Sequence, residues 1–388
     1  MSDRLPGVFT EEDGCELSFD AIPFWQGVQK SPGVRLTYPI TLCAKRGCPI
    51  RQATDASVID AVVHAYQSEE YAFITAPPGA SAWANSLGDI SVSTVVAAVG
   101  SSKPRQILEI GAGSGYVARR LIACYRPDRY VIVDPTIREI IENAEVIREY
   151  FPGSQLGERG FDLVLAFNCL EHVPDPAEFL RATRSRLLPE GKVVLIFPDC
   201  EKQLRGGDLN VLVHEHISYF TKASTRQIMM ESGFTVDALE ARHDTLFVAL
   251  SKAEKPLNNL QGIDEFDLIQ QSAQAFQAVL SDTVTSIRQR LDAGERVGFH
   301  GATNGLNILM HLSGLGAHPG VRLYDGDASK HEMYLPACSA PIMNPADPSY
   351  RDNTLLVISA MSYFESISRF ANETHGLDSS RLLPLVGA

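Results

Sequence analysis

The sequence predicts an α/β protein built on parallel strands buried on both faces. Four short β-branched runs, residues 107–110, 130–133, 161–167 and 192–197, are too continuously apolar to leave a solvated face. Stretches with helical spacing of apolar residues separate them, at 116–124, 136–150 and 177–188. The same rhythm restarts later, with strands at 296–299, 321–324 and 354–359 and helices at about 305–312 and 363–372.

The remaining elements follow from local signals. Apolar residues recur at helical spacing between Asn85 and Gly100, and a further helix runs from Thr221 to about Glu231. Residues 235–241 and 246–251 are close enough in sequence to pair as an antiparallel hairpin. A long amphipathic helix is predicted over 263–293, broken by Gly294. Residues 17–78 read as irregular, with a helix at 58–66 and with Ala76-Pro77-Pro78-Gly79 as a domain hinge.

Composition narrows the class of function. The 388 residues are enough for two or three domains, and 45% hydrophobic with 21% charged residues is the balance of an ordinary globular protein. A net charge of -13 repels phosphate backbones and anionic membrane surfaces, which excludes a general nucleic-acid coat and a membrane-surface role. Residues 1–7 lack a signal-peptide pattern and no apolar stretch reaches the roughly 18 residues of a membrane span, so the cytoplasm is the expected compartment. The seven cysteines are odd in number and form no Cys-x-x-Cys pair, as expected for reduced thiols.

The most informative stretch is Leu108-Glu109-Ile110-Gly111-Ala112-Gly113-Ser114-Gly115-Tyr116, where a buried strand enters a glycine turn and then a helix. Glycines let backbone approach a ligand closely. The third glycine comes two residues after the second, which departs from the dinucleotide spacing that leaves room for a pyrophosphate and disfavours an NAD-dependent dehydrogenase. The next strand ends in Asp134, whose carboxylate can accept both hydroxyl hydrogens of a ribose. A ribose without a pyrophosphate points to an adenosyl cofactor.

These residues resemble the class I S-adenosylmethionine-dependent methyltransferases. Residues 161–176 look like that family's fourth strand and following loop, and the pair within 235–251 resembles its final hairpin. The resemblance implies a Rossmann-like core in which Glu109, Gly111, Ala112, Gly113, Gly115 and Asp134 line S-adenosylmethionine, with Asn168 and Leu170 near its methionine side. The segment after Asp134 is shorter than the family's, so its third strand is expected to be short or missing.

Beyond the strand at 192–197 comes His214-Glu215-His216-Ile217-Ser218-Tyr219-Phe220-Thr221. A loop beyond the carboxyl end of a parallel strand is where open α/β sheets place ligands. A histidine beside a carboxylate suits removal of a proton near neutral pH. The same residues could instead tie the loop down by hydrogen bonds. A metal is the weakest reading: His214 and His216 would point to one side of an extended segment, but no third ligand stands at recognisable spacing.

The run 214–221 after such a core, followed by a second α/β domain, resembles the sugar C-methyltransferases that act on nucleotide-linked 4-keto deoxysugars. In those enzymes a carbon next to a ketone loses its proton and the resulting enolate takes the methyl group. By motif position Glu215 and His216 would handle the proton and His172 would assist. The turn at 296–305 and the segments at 325–336 and 340–342 resemble the family's C-terminal domain. Val213 stands where relatives carry a tyrosine, Asn304 where their glycine turn has a lysine, and Cys15, Cys43 and Cys48 do not supply a zinc-binding spacing.

The expected fold is therefore α/β, with a small irregular N-terminal region that contacts substrate (1–82), a Rossmann-like S-adenosylmethionine-binding domain (83–252) and a second α/β Rossmann-like domain closing the cleft (253–388). Tyr71, His214, Tyr219, His243 and Asn304 are the candidate substrate contacts. Packing on the core is the other reading for Tyr71, and a structural role the favoured one for His243. The expected activity is methylation of a carbon next to a carbonyl on a keto-deoxysugar nucleotide or similar polar metabolite, by a monomer or homodimer with no bound metal. An O- or N-methyltransferase, or a binding protein that kept the fold, are the alternatives.

Overall fold

The computed structural model describes residues 7–11, 14–53, 56–67, 82–242, 244–254 and 265–386. The Pro-Pro-Gly hinge, Tyr71 and His243 lie outside the described residues.

The N-terminal stretch is not irregular: it forms an antiparallel sheet. β1 (Gly7–Glu11), β2 (Gly14–Pro23), β3 (Thr37–Lys45) and β4 (Ile50–Ala53) pair in order, followed by α1 (Ala56–Gln67). Cys15, Leu17 and Phe19 are buried and alternate with Glu16, Ser18 and Asp20, the period of a strand with one face in a core. A bulge between Phe19 and Ile22 breaks that alternation, which hides the strand from a pattern reading.

The middle of the chain follows the α/β reading with one exception. α2 (Ala82–Val99), β5 (Gln106–Ile110), α3 (Tyr116–Tyr125), β6 (Arg129–Val133), β7 (Glu145–Ile147), β8 (Phe161–Phe167), α4 (Pro176–Arg186) and β9 (Leu187–Pro198) come first. α5 (Glu201–Gly206), β10 (Ser218–Tyr219), α6 (Lys222–Glu231), β11 (Phe234–Arg242) and β12 (Thr245–Lys252) complete the unit. The seven-stranded sheet has the order β11-β12-β9-β8-β5-β6-β7, with β12 antiparallel to β9 and the strands from β9 to β7 parallel. Asp175 starts α4 by accepting the N–H of Glu178, with Pro176 at the first helical position.

The exception is the helix predicted over 136–150, which is absent. Asp134 accepts the N–H groups of Thr136 and Ile137, bending the chain back at once, and Asn143 takes a positive φ. Ile137 and Ile141 are instead buried beneath the glycine turn, and β7 is the short third strand. The connection from β6 to β7 is shorter than the dozen or so residues a helical crossover needs.

α7 (Phe266–Ala278) and α8 (Val284–Asp292) are one run joined by a π-helical segment, close to the predicted long helix. β13 (Val297–His300), α9 (Asn304–Ser313), β14 (Val321–Tyr324), β15 (Ile342–Met343), β16 (Leu355–Ile358), α10 (Phe364–His375) and β17 (Leu382–Pro384) follow. Their sheet, order β15-β14-β13-β16-β17, is parallel throughout. Glu265, at the start of α7, joins the three units: it accepts from Ile50 N at 3.1 Å and from Thr221 Oγ1 at 2.7 Å. Among the described residues no helix is long and apolar enough to cross a membrane.

Candidate active site

β5 delivers the chain into residues 111–115 at the carboxyl edge of the parallel sheet. Gly111 has φ +72°, and a Cβ there would stand 2.2 Å from Cys169 Sγ, so only glycine lets the turn cross the end of β8. Gly113 differs in kind: a methyl group placed on it would meet no atom of the described residues within 4 Å, which leaves its outer face open to a ligand among them. Ala112 and Gly115 close the turn, the Gly115 N–H donating to the Ala112 carbonyl at 2.9 Å.

Asp134 braces the turn from the end of β6. One carboxylate oxygen accepts from Gly113 N at 2.9 Å, and the other accepts from Thr136 N, Thr136 Oγ1 and Ile137 N at 2.7, 2.9 and 3.0 Å. Three of these bonds crowd one oxygen, so the other, bonded only to Gly113 N, keeps an acceptor position: Asp134 holds the turn in shape and can still take a ribose hydroxyl. Glu109 is turned into the sheet: Tyr130 donates to its carboxyl at 2.5 Å, and burial raises that carboxyl to about 7 against the lowering effect of the tyrosine bond. Leu170 is 1% exposed, its side chain packed in the core under the sheet. Asn168 does meet the expectation of an edge residue: it is exposed at the end of β8 with φ +50°, a conformation asparagine tolerates.

The two loops beyond β8 and β9 converge. The ring Nδ1 of His172 bonds the Glu215 backbone carbonyl at 2.8 Å, and Ile217 N donates to the Glu171 carbonyl at 2.7 Å. The His172 and His216 rings meet edge to face with centroids 5.0 Å apart. Glu171, which the sequence reading passed over, is 2% exposed, with Oε1 at 3.7 Å from His172 Nε2 and Oε2 without a partner. Burial pushes the Glu171 carboxyl up to about 8, with the charge of Glu215 adding to it. Burial also pushes His172 down to about 4, and holds His216 well below the usual imidazole range, where His172 reinforces it. Both imidazoles are thus neutral near pH 7.

Three expected substrate contacts are buried. His214 is buried between Phe24 and Tyr38 and bonds the Tyr38 carbonyl, so it does not share a side with His216. Tyr219 is fully buried and donates to Gln52 Oε1 and to the Val213 carbonyl. Its segment, β10, pairs with β4, which fastens the catalytic loop to the N-terminal sheet. Asn304 is buried at the domain junction, donating to the Leu212 carbonyl at 2.9 Å. Core packing and loop anchoring claim all three side chains, while the Tyr219 ring also meets His216 edge to face with centroids 6.2 Å apart.

Comparison with known proteins bears directly on this arrangement. Residues 92–239 match the family model described as a methyltransferase domain, and residues 241–384 match a C-methyltransferase C-terminal domain. Together the two matches give the chain a methyltransferase domain followed by a C-methyltransferase C-terminal domain. The chain is similar to the C-methyltransferase NovU of Streptomyces niveus, 25% identical over 199 residues that make up 47% of each chain. The chain thus spans about half the length of the curated relative it matches. Among solved structures it is similar to the DhpI–SAH complex, at 18% identity over 52% of this chain and 100% of that one with a TM-score of 0.39. Human N-acetylserotonin methyltransferase with SAM gives 17% identity over 44% and 54% with a TM-score of 0.36.

S-adenosylmethionine is the cofactor of this methyltransferase. The residues present fit it, since the open face at Gly113 is a cradle that any side chain would fill, and Asn168 stands exposed across the turn from it. The same site brings together a second donor set. One ligand atom each from Glu171, His172 and His216 lies within 4.8 Å of the other two. The signal that could have found Glu171 is its place in Glu171-His172 directly after a strand end, where side chains converge on ligands.

Proposed function

We propose that this methyltransferase transfers the methyl group of S-adenosylmethionine to a carbon next to a carbonyl, on a nucleotide-linked keto-deoxysugar or a related polar metabolite. The observation that carries the reading is the meeting of His172 with the Glu215 carbonyl, which gathers Glu171, His172, Glu215 and His216 beyond the strands that bear the glycine turn. The C-methyltransferase C-terminal domain match over 241–384 supports transfer to carbon.

S-adenosylmethionine supplies an electrophilic methyl group on a sulfonium. The chain's own residues do the rest. The turn at 111–115, braced by Asp134, presents backbone to the cofactor. The cluster built on Glu215, His216 and His172 takes the proton of the acceptor carbon. Neutral imidazoles and a nearby carboxylate in a largely buried setting can accept that proton without first losing one to water. β10 and the junction at Asn304 hold the loop that carries the cluster from two sides.

The test is hydrogen exchange at the acceptor carbon. A 4-keto deoxysugar nucleotide incubated with the protein in deuterated water, without cofactor, should gain deuterium next to the ketone. Cofactor addition should then give a new carbon–methyl signal in the proton–carbon correlation spectrum. A methyl product on oxygen or nitrogen with no exchange would overturn the assignment.

A further inference from the structure

We propose that Glu171, His172 and His216 bind one divalent transition-metal ion, of the zinc or iron(II) class, beside the methyl-acceptor site.

Three features of the cluster are those of a ligand set. Two imidazoles and one carboxylate are the donors that borderline divalent metals take when positions must stay open for a further ligand. A carbonyl oxygen can only accept, so the 2.8 Å contact with Glu215 O fixes the proton on His172 Nδ1 and leaves Nε2 with its lone pair. That lone pair stands 3.7 Å from Glu171 Oε1. Donors on a tetrahedral ion with bonds of about 2.1 Å stand roughly 3.4 Å apart, so the spacing already approaches that of ligands. Holding the far ring nitrogen on a backbone carbonyl is also how proteins orient metal-binding histidines.

The decisive group is Glu171. Its Oε2 is buried and meets no hydrogen-bond donor among the described residues, a position that a bound ion, water or ligand would complete. The cluster is also stiff. Ile217 N holds the Glu171 backbone at 2.7 Å, and the pairing of β10 with β4 follows directly after His216 and Ile217.

The ion's task rests on the function proposed above. Held by these three side chains, it would take the acceptor's carbonyl oxygen as a further ligand. The proton of the adjacent carbon then passes to the Glu215 carboxylate as its C–H bond breaks, and the electron pair moves onto that oxygen. With the ion bound, the lone pairs of both imidazoles are taken up by it, so of the proton-taking cluster proposed above Glu215 is the member left to accept the proton.

The full chain, grown in cobalt-supplemented medium and purified without chelator, should carry about one cobalt per chain. Its visible d–d absorption should come without the intense near-ultraviolet band of thiolate ligands, since no cysteine is in the set. Glu171→Gln and His216→Ala should each lose the band and the bound cobalt while S-adenosylmethionine binding, read by calorimetry, stays within twofold. Should a variant not fold, stripping the unaltered chain with dipicolinate must abolish the band and cobalt must restore it. Wild-type protein without stoichiometric cobalt, or variants that retain it, would overturn the site. Loss of the C-methylation reading alone would leave the cobalt count and spectrum unchanged, which separates the two failures.

Discussion

Asn210 Oδ1 accepts the backbone N–H of Gly305 at 2.7 Å, so a side chain from the cofactor domain fills the first turn of α9, the helix that follows the first strand of the C-terminal sheet. The two domains share one local design, since Asp325 braces Ala302 N at 2.8 Å as Asp134 braces Gly113 N at 2.9 Å. They differ in what faces the helix start. A methyl on Gly113 would meet open space among the described residues, whereas one on Gly305 would stand 2.6 Å from Asn210 N. One turn is left free for a ligand, and its counterpart is closed by protein to hold the loop 208–216.

Loosening that junction should therefore damage turnover more than cofactor binding. Asn304→Ala removes the bond to Leu212 O and is expected to lower kcat several-fold while leaving the dissociation constant for S-adenosylmethionine unchanged. The lost buried hydrogen bond should cost about 1 kcal/mol of stability, seen as a small fall in Tm. Steady-state kinetics and calorimetry on the same preparation give the answer, and an unchanged kcat would remove the positioning role.

Two glycine substitutions should separate folding from ligand space. Gly113→Ala meets no atom of the described residues within 4 Å, so its Tm should drop only by the strain of an alanine at φ +53°, about 1–2 kcal/mol. Its affinity for S-adenosylmethionine should fall at least tenfold. Gly111→Ala collides with Cys169 Sγ and should lose both stability and binding. Equal cofactor affinity in Gly113→Ala and wild type would place the cofactor elsewhere.

Much of this architecture is legible without coordinates because buried parallel strands have no polar face. β5, β6, β8 and β9 announce themselves as apolar runs, and α4 by Asp175-Pro176. What stays hidden depends on partners distant in sequence. β2 alternates cleanly only up to its bulge, and its core is completed by Phe276, whose ring meets Phe19 at 5.2 Å. The apolar spacing of Ile137 and Ile141 imitates a helix, but those residues are drawn beneath the turn by the bonds of Asp134. Within the site, His172, Glu215 and His216 are readable as a motif, whereas Glu171 is not, because only folding reveals that its carboxyl is buried against them.

His216→Ala should lower the catalytic rate by about a hundredfold or more, the usual scale for a lost proton-handling or ligand-activating group. S-adenosylmethionine affinity should stay near that of the wild type, because the imidazole meets His172 rather than the glycine turn. His214→Ala should behave oppositely. Its ring fills a space between Phe24 and Tyr38, so Tm should fall while the turnover of the folded fraction is kept. Single-turnover kinetics separates the two, and a His214 variant that is stable but inactive would reverse their roles.

Asp208 offers a test through pH. It is 5% exposed, and burial raises its carboxyl to about 6 against the lowering bonds from Asn210, with Asp244 adding repulsion. The folded chain therefore keeps a proton that the unfolded chain, with a carboxyl near 3.8, has already released. Stability from this group is present below about pH 4 and is lost as pH rises through 6, by roughly 3 kcal/mol in all. Asp208→Asn keeps the oxygen that accepts from Asn210 but cannot ionise. Its Tm should match that of the wild type near pH 3 and exceed it near pH 7.5, and parallel Tm curves across that window would show that Asp208 ionises freely in the folded protein.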